Sequence, residues 1–526
     1  MSLNQYQLTA GQWESFVIQP QTYCNTEALN GFQTNQSAKG NPLHPDLQSE
    51  KDFEQSLEQS FQISQQQLSV LKFKRVHMLM PAVNADRLPG VQDYQPTAHP
   101  LPLKSTSVSA VWFDQEDIHR SAIGYHYKNS QLATLKERLA EQKPFKGICG
   151  NLGYFMTREL NCGDHIWSHS RRFADQEFQL PEVLSYLGFY FFNKAHGERG
   201  SCGFQGVHRG ALAVTAAGSV EILPEIEIQA YDLEIGSAAL TVDIINPDFN
   251  SLDQHDIVLF NSACQLEHEG ALQEFSPMLP VHNRVNLFIS SRGDGSQPHE
   301  EVIKVWHGRA PLPSFGVVIS IKEALFNELF ADRKLSGLRV DVRPYSDNCD
   351  FSRYRQILGG LVPAVIDGEP VVPTGEKLSS ADAERGLHKA AGTLSPLART
   401  GRESNNFDAL IREPAGLIIQ TERSIGWLLF DGRHELSIGA NIVDSSNLLV
   451  RLQELDIDIF DGEKITAALF IDGGSAMKVY ALTQSEQGTD MTILNRVAAG
   501  GRNGPGNDQQ GLNLYSTAVF EFPPLE

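Results

Sequence analysis

The chain has 526 residues, 41% of them hydrophobic, and a formal net charge of −21. Such a length allows about two to four domain-sized units with large buried cores, and the acidic balance, with no basic run, excludes a nucleic-acid partner. The start MSLNQYQLTAGQWESF lacks the basic and apolar regions of a signal peptide, and no apolar run reaches the roughly 18 residues of a membrane span, so a cytoplasmic protein with no membrane span is expected.

Residues 1–80 are rich in Gln and Asn, yet Phe53, Leu57, Phe61, Leu68 and Leu71 follow a helical spacing that predicts an amphipathic helix over 50–72. Five prolines between Pro81 and Pro102 break regular structure, so residues 1–104 read as an N-terminal helical extension with a Pro-rich connector. From Ser105 onward strand-like runs dominate: SVSAVWF, ALAVTA, SVEILPEIEI, HDIVLF, RVNLFIS, FGVVISI, PAVIDGEPVV, IGWLLFDG, AALFI and MKVYAL. Asp367-Gly368 and Asp431-Gly432, each flanked by apolar alternation, predict hairpin turns. Helices are predicted at SQLATLKERLAEQ, KEALFNELF and SSNLLVRLQELD, the last with Leu448, Leu452 and Leu455 on one face and Asp444 or Ser445 as its cap. The expected fold class is α+β, a large mixed or mostly antiparallel sheet with a few packed helices, forming one body over 105–526 with a polar insertion near 374–410. Six cysteines, at 24, 149, 162, 202, 264 and 349, show no CxxC pairing, which suits reduced thiols better than disulfides or a zinc site.

The chemical signals centre on ALFIDGGSAMKVY, residues 468–480. A carboxylate after an apolar strand, followed by two glycines, places Asp472 where a buried strand ends in a tight turn. GGSAM approaches a nucleophile elbow but carries Met477 at its last glycine position and leads into a strand rather than a helix, which argues against a serine hydrolase. No phosphate loop, HExxH or calcium-loop spacing is present, and DIDIFDG at 456–462 reads as a solvated acidic turn, so neither metal nor cofactor is expected. Glycines 197, 200, 203 and 206 recur at every third residue, in a loop or a plain connector.

Asp472 also keeps ordered company. GICGNLGYF at 147–155, VHRGALAVTAAGSVEI at 207–222, ILGGLVPAVIDGEPVV at 357–372, TERSIGWLLFDGRH at 421–434, the turn at 472–475 and ILNRVAAGGRNGPGN at 493–507 form a series that resembles the phosphodiester glycosidase domain family. The resemblance covers roughly 106–526 and has no counterpart for 1–80. It implies that Asn151 with Gly153, Tyr154 and Phe155, Arg423 with Ser424, Ile425 and Gly426, Asp472 with Gly473, Gly474 and Ser475, and Asn495 with Arg502 belong to one site. This turn has two glycines where the family usually has three, and Ala476 replaces a second hydroxyl residue, departures that bear on activity and substrate choice.

Breaking a sugar-phosphate diester at the anomeric carbon develops positive charge on the sugar and releases a phosphate that leaves readily. The chemistry therefore asks for a carboxylate near the sugar and cations near the phosphate. On this reading Asp472, Arg423 and Asn151 are the catalytic candidates. Gly473, Gly474, Ser475, Asn495, Arg502, Arg209 and Tyr154 are the substrate-binding ones, and the partner is a phosphorylated carbohydrate. A non-catalytic carbohydrate or phosphosugar binding module, and a scaffold whose first 80 residues meet a partner, are the alternatives.

Overall fold

In the computed structural model of the chain, the described residues are 47–81, 103–125, 127–128, 131–132, 145–153, 155–156, 185–186, 188–193, 200–206, 209–261, 264, 278–279, 282–294, 297–311, 316–331, 333–370, 414–432, 439–440, 449, 459–471, 473, 477–485, 488–496 and 516–523. The strand-like runs become three principal sheets, of eleven, seven and five strands, rather than one. Their strands pair antiparallel, and the one parallel contact among the described residues is the isolated bridge between Ile245 and Leu259. The first sheet has at its centre the strands Ser424–Phe430, Ala415–Thr421, Ile465–Ile471 and Tyr354–Ile366. IGWLLF and AALFI are apolar on both faces because these strands are covered on both sides.

The five-stranded sheet packs over the first. Val479, Ala481, Ile148, Ala518 and Phe520 from the smaller sheet share a core with Val111, Ile418, Trp427, Leu469 and Ile471 from the larger. Trp427 sets the spacing: a Cβ at Gly150 would lie 2.6 Å from its ring, so position 150 must be glycine for the sheets to close. The seven-stranded sheet builds a second core with the ribbon Tyr190–Phe192 and Ser201–Cys202, which also pairs with Tyr354–Ile366 of the first sheet.

The expectation of an N-terminal helical extension is not supported. A helix runs from Leu47 to Gln67 and places Leu57 and Phe61 in the core between the two sheets, where Leu68 and Leu71, just after its end, join them. The strand Lys72–Pro81 then pairs along its whole length with Leu103–Asp114, as an edge of the eleven-stranded sheet. KEALFNELF forms the helix Glu323–Phe330, with Phe326 and Phe330 buried. Gln131–Leu132 pairs with Tyr127–Lys128 as a short ribbon, so no helix starts there. The rest of that predicted helix, SSNLLVRLQELD apart from the buried helical residue Leu449, the connector at 82–102 and the insertion at 374–410 lie outside the described residues.

The two Asp-Gly turns diverge. Val365 pairs with Pro370 and Ile366 with Glu369 around Asp367 and Gly368, whose φ values of 52° and 82° suit a two-residue hairpin. Asp431-Gly432 makes no hairpin with the strand before it. One edge of Ser424–Phe430 is already paired with 108–114 and the other with 415–420, so a returning strand has no edge to join. The four described cysteines, 149, 202, 264 and 349, are free and buried.

Candidate functional site

The strand Ile465–Ile471 runs through the middle of the first sheet and stops immediately before the sequence Asp472-Gly473-Gly474-Ser475. Asp472, Gly474 and Ser475 lie outside the described residues, as do Tyr154 and Arg502. Gly473 is half-buried, and a Cβ there would lie 2.7 Å from the carbonyl oxygen of Pro414, so the close approach to position 414 demands glycine.

Two asparagines from distant parts of the chain grip the backbone just past the turn. Asn151, 3% exposed at the end of the strand Phe145–Asn151, accepts from the Lys478 amide at 3.1 Å through Oδ1, and its own amide donates to the Lys478 carbonyl at 3.1 Å. Asn495, 1% exposed, accepts from the Val479 amide at 2.9 Å and donates through Nδ2 to the carbonyls of Met477 at 3.0 Å and Arg496 at 3.1 Å. In these bonds both side chains act on main chain. They satisfy backbone groups of 477–479 beyond the end of the strand Ile465–Ile471, and so fix the main chain there.

Three charged residues that sequence reasoning missed are buried here. Asp431 follows the strand Ser424–Phe430 and is fully buried. One carboxylate oxygen accepts from Arg75 at 2.7 Å, in a pair with neither side chain exposed, and the other accepts from the Arg496 amide at 3.3 Å. Arg75 also donates to the Ser109 hydroxyl at 2.7 Å. Asp431 thus ties the Asn495-Arg496 segment to the edge strand. Lys478, 1% exposed, lies between the two clamped residues, and alternation sends it to the face opposite Met477 and Val479, which point into the inter-sheet core. For Asp431 and Lys478 the signal was a lone charge in an apolar run, LLFDG and AMKVYAL; Arg75, beside Lys74 in FKRVHML, carried no such mark.

Arg423 is not brought to this group. It precedes Ser424 at the other end of the same strand, whose 7 residues at about 3.3 Å each put it roughly 20 Å away. There its side chain is 72% exposed and pairs with Glu463 at 2.6 Å. Glu463 belongs with Asp114 and Asp461 to a set of carboxylates whose oxygens lie within 4.8 Å of one another. The protein's own cations occupy that set: Lys72 reaches Asp114 at 2.9 Å and Asp461 at 2.7 Å. Burial pulls the Lys72 ammonium down, but hydrogen bonds from it to Asp461 and Asp114 outweigh burial and leave its pKa raised. Two cations, Lys72 and Arg423, thus offset part of the charge of the three carboxylates. Arg209 does open the fully buried strand Gly210–Thr215, yet its guanidinium lies on the surface, 3.4 Å from Glu225 and 3.5 Å from Glu227.

No family model and no curated protein matches the chain. Among solved structures it is similar to a hypothetical protein from Synechocystis, at 15% identity over 86% of this chain and 64% of that one with a TM-score of 0.38. It is also similar to a structure from Burkholderia pseudomallei K96243, at 13% identity over 81% and 75% with a TM-score of 0.41. A third is the zebrafish N-acetylglucosamine-1-phosphodiester alpha-N-acetylglucosaminidase catalytic domain auto-inhibited by its pro-peptide, at 8% identity over 86% and 84% with a TM-score of 0.29. The chain spans less than two thirds of the Synechocystis protein's length. Likenesses this distant carry no argument about activity.

Proposed function

We propose that the chain is a hydrolase that releases a sugar from a sugar-phosphate diester, with its site at the Asp-Gly-Gly-Ser turn after the strand Ile465–Ile471. One observation carries the reading: Asn151 and Asn495, separated by more than 340 positions and both named by the ordered motif series, converge on the backbone of 477–479 beside that turn. A rigidly held exit suits a turn whose carboxylate and amides must be aimed before the substrate arrives.

In this proposal water attacks the anomeric carbon, the bond from that carbon to the phosphate oxygen breaks, and the phosphate leaves with the electron pair. Asp472 stabilises the positive charge that grows on the sugar, and takes the water's proton or passes it to solvent. The amides of Gly473 and Gly474, with Ser475 and Arg502, receive the phosphate oxygens. Lys478, a buried cation next to the turn, replaces Arg423 in the group. Asn151 and Asn495 are positioning residues, and Tyr154 stacks on the sugar. The direct test is phosphorus NMR of the wild-type chain with a panel of sugar-1-phosphodiesters. Appearance of a phosphomonoester resonance supports the proposal. An inert wild type that still binds a panel member in calorimetry would point to a binding module instead.

A further inference from the structure

Away from that turn, Glu300 is a carboxyl sealed inside the second core, 2% exposed on the strand Gln297–His307. Its partners are neutral. The hydroxyls of Ser291, opposite it on Arg284–Asp294, and of Tyr190, on the ribbon, both donate to Oε1, at 2.7 and 2.9 Å. The Cys202 thiol and the Tyr231 hydroxyl are near enough to feel a charge there, and the apolar Val340 stands across the ladder. Its neighbours along the strand, His299 and Glu301, point to the opposite face, where they lie 3.8 Å apart, and Arg339, the register partner of Glu301, is on that face too. Among the described residues no cation faces Glu300, so an ionised carboxylate there must draw in water or move out to it.

The ribbon is fastened unequally. Tyr190–Phe192 pairs with 356–358 of the strand Tyr354–Ile366 in the first sheet. Ser201–Cys202 pairs with Phe191 and Phe192, and among the described residues no strand joins its other edge. Along it lies a cavity of about 300 Å³, lined by Ser201 and Cys202 and by Asp341 and Arg343 of the strand Arg339–Tyr345. The Ser201 hydroxyl is buried and makes no hydrogen bond. A cavity with such walls has room and partners for water beside the short strand.

We propose that Glu300 is a pH latch on this ribbon: neutral, it accepts from Tyr190 and keeps Ser201–Cys202 closed over the second core; ionised, it is hydrated from the cavity and lets that short strand part from the sheet. Burial pushes the carboxyl up to about 7 in the closed state, against 4.5 for the free group. Closure is therefore fully supported below pH 4.5 and loses that support as pH rises to about 7. Opening grows about tenfold per pH unit over most of that range and levels off above it. The latch is independent of the hydrolytic turn, so its test does not depend on turnover.

The experiment is N-ethylmaleimide labelling of the full chain from about pH 5 to 8, first order in reagent and read at Cys202 and Cys149 by peptide mass spectrometry. Cys149, fully buried in Phe145–Asn151 at the centre of the five-stranded sheet, reports global unfolding. Cys202 is expected to label at least about tenfold faster than Cys149 at neutral pH. The ratio of the Cys202 rates in wild type and Glu300→Gln, in which the thiol's own pH dependence cancels, is expected to rise about tenfold per pH unit up to about pH 7. Tyr190→Phe removes the ribbon's hydrogen bond and keeps the carboxyl, and should quicken Cys202 labelling about tenfold at the acid end of the range. Equal rates at Cys202 and Cys149, a wild-type to Glu300→Gln ratio that stays flat with pH, or a folded Tyr190→Phe that labels as wild type does, overturns the proposal.

Discussion

The two ends of the central strands handle charge in opposite ways. Where Ser424–Phe430 ends, Asp431, Arg75, Lys478 and the two asparagines are sealed from water; Asp431 pairs with Arg75, and the asparagines bond to main chain. Where the same strand begins, Arg423, Lys72, Asp114, Asp461 and Glu463 form ion pairs in which Arg423 is 72% exposed and Asp461 40%. Charges in water are interchangeable at small cost, whereas removing one member of a sealed ion pair leaves the other buried and uncompensated. A built site is therefore expected at the sealed end, where geometry is enforced. The expected effects of substitution rank accordingly.

The largest belongs to Asp431. Replacing it with alanine leaves the Arg75 guanidinium buried without its carboxylate, a change expected to cost about 3–5 kcal/mol in urea denaturation. The double variant Arg75→Met, Asp431→Leu should recover most of that loss. A single variant as stable as wild type would remove the contrast between the two ends.

Glu300 extends the comparison to the second core, as a sealed carboxylate that accepts from the hydroxyls of Tyr190 at 2.9 Å and Ser291 at 2.7 Å. Burial pushes its carboxyl up to about 7, although both hydroxyls work against the shift. The folded chain thus keeps a proton that the unfolded chain releases near the ordinary carboxylate value of 4.5. This contribution is fully present below pH 4.5 and is lost as pH rises to about 7, where it has cost roughly 3 kcal/mol. Glu300→Gln should match wild type at low pH and unfold at higher denaturant above pH 7. Equal pH dependence of the two proteins would contradict the assignment.

Asn495→Ala is next. It strands the Val479 amide and the Met477 carbonyl, for about 1–3 kcal/mol, and amide hydrogen exchange at Val479 should quicken more than in the distant strand Val317–Lys322. The smallest effect is at the open end, where Arg423→Ala should shift stability by no more than about 1 kcal/mol, and by less at high salt.

How much of this was legible in the sequence follows from the range of each signal. Strands such as IGWLLF and AALFI declare themselves by apolar runs, and the Asp367-Gly368 hairpin by a dipeptide whose geometry is local. Asp431-Gly432 carries the same dipeptide but a different outcome, because both edges of its strand are taken by segments distant in sequence. The helical spacing of Leu57 and Phe61 was legible, but spacing within one segment does not say that its apolar face completes the inter-sheet core. The motif series named Asn151 and Asn495, which do meet, and Arg423, which faces away; order along the chain does not say at which end of a strand a residue emerges. Asp431 and Lys478 left only the trace of single charges in apolar surroundings, and Arg75, in the basic run KFKR, left none.

The central claim is that chemistry resides at the clamped turn and not at the open end. Its most direct test compares turnover of a sugar-1-phosphodiester by wild type, Asp472→Asn and Arg423→Ala, each verified as folded by its melting curve. The account predicts a loss of about 100-fold or more for Asp472→Asn, as expected when a charge-stabilising group is neutralised, and a rate near wild type for Arg423→Ala. Full turnover by a folded Asp472→Asn, or its collapse in a folded Arg423→Ala, would contradict it.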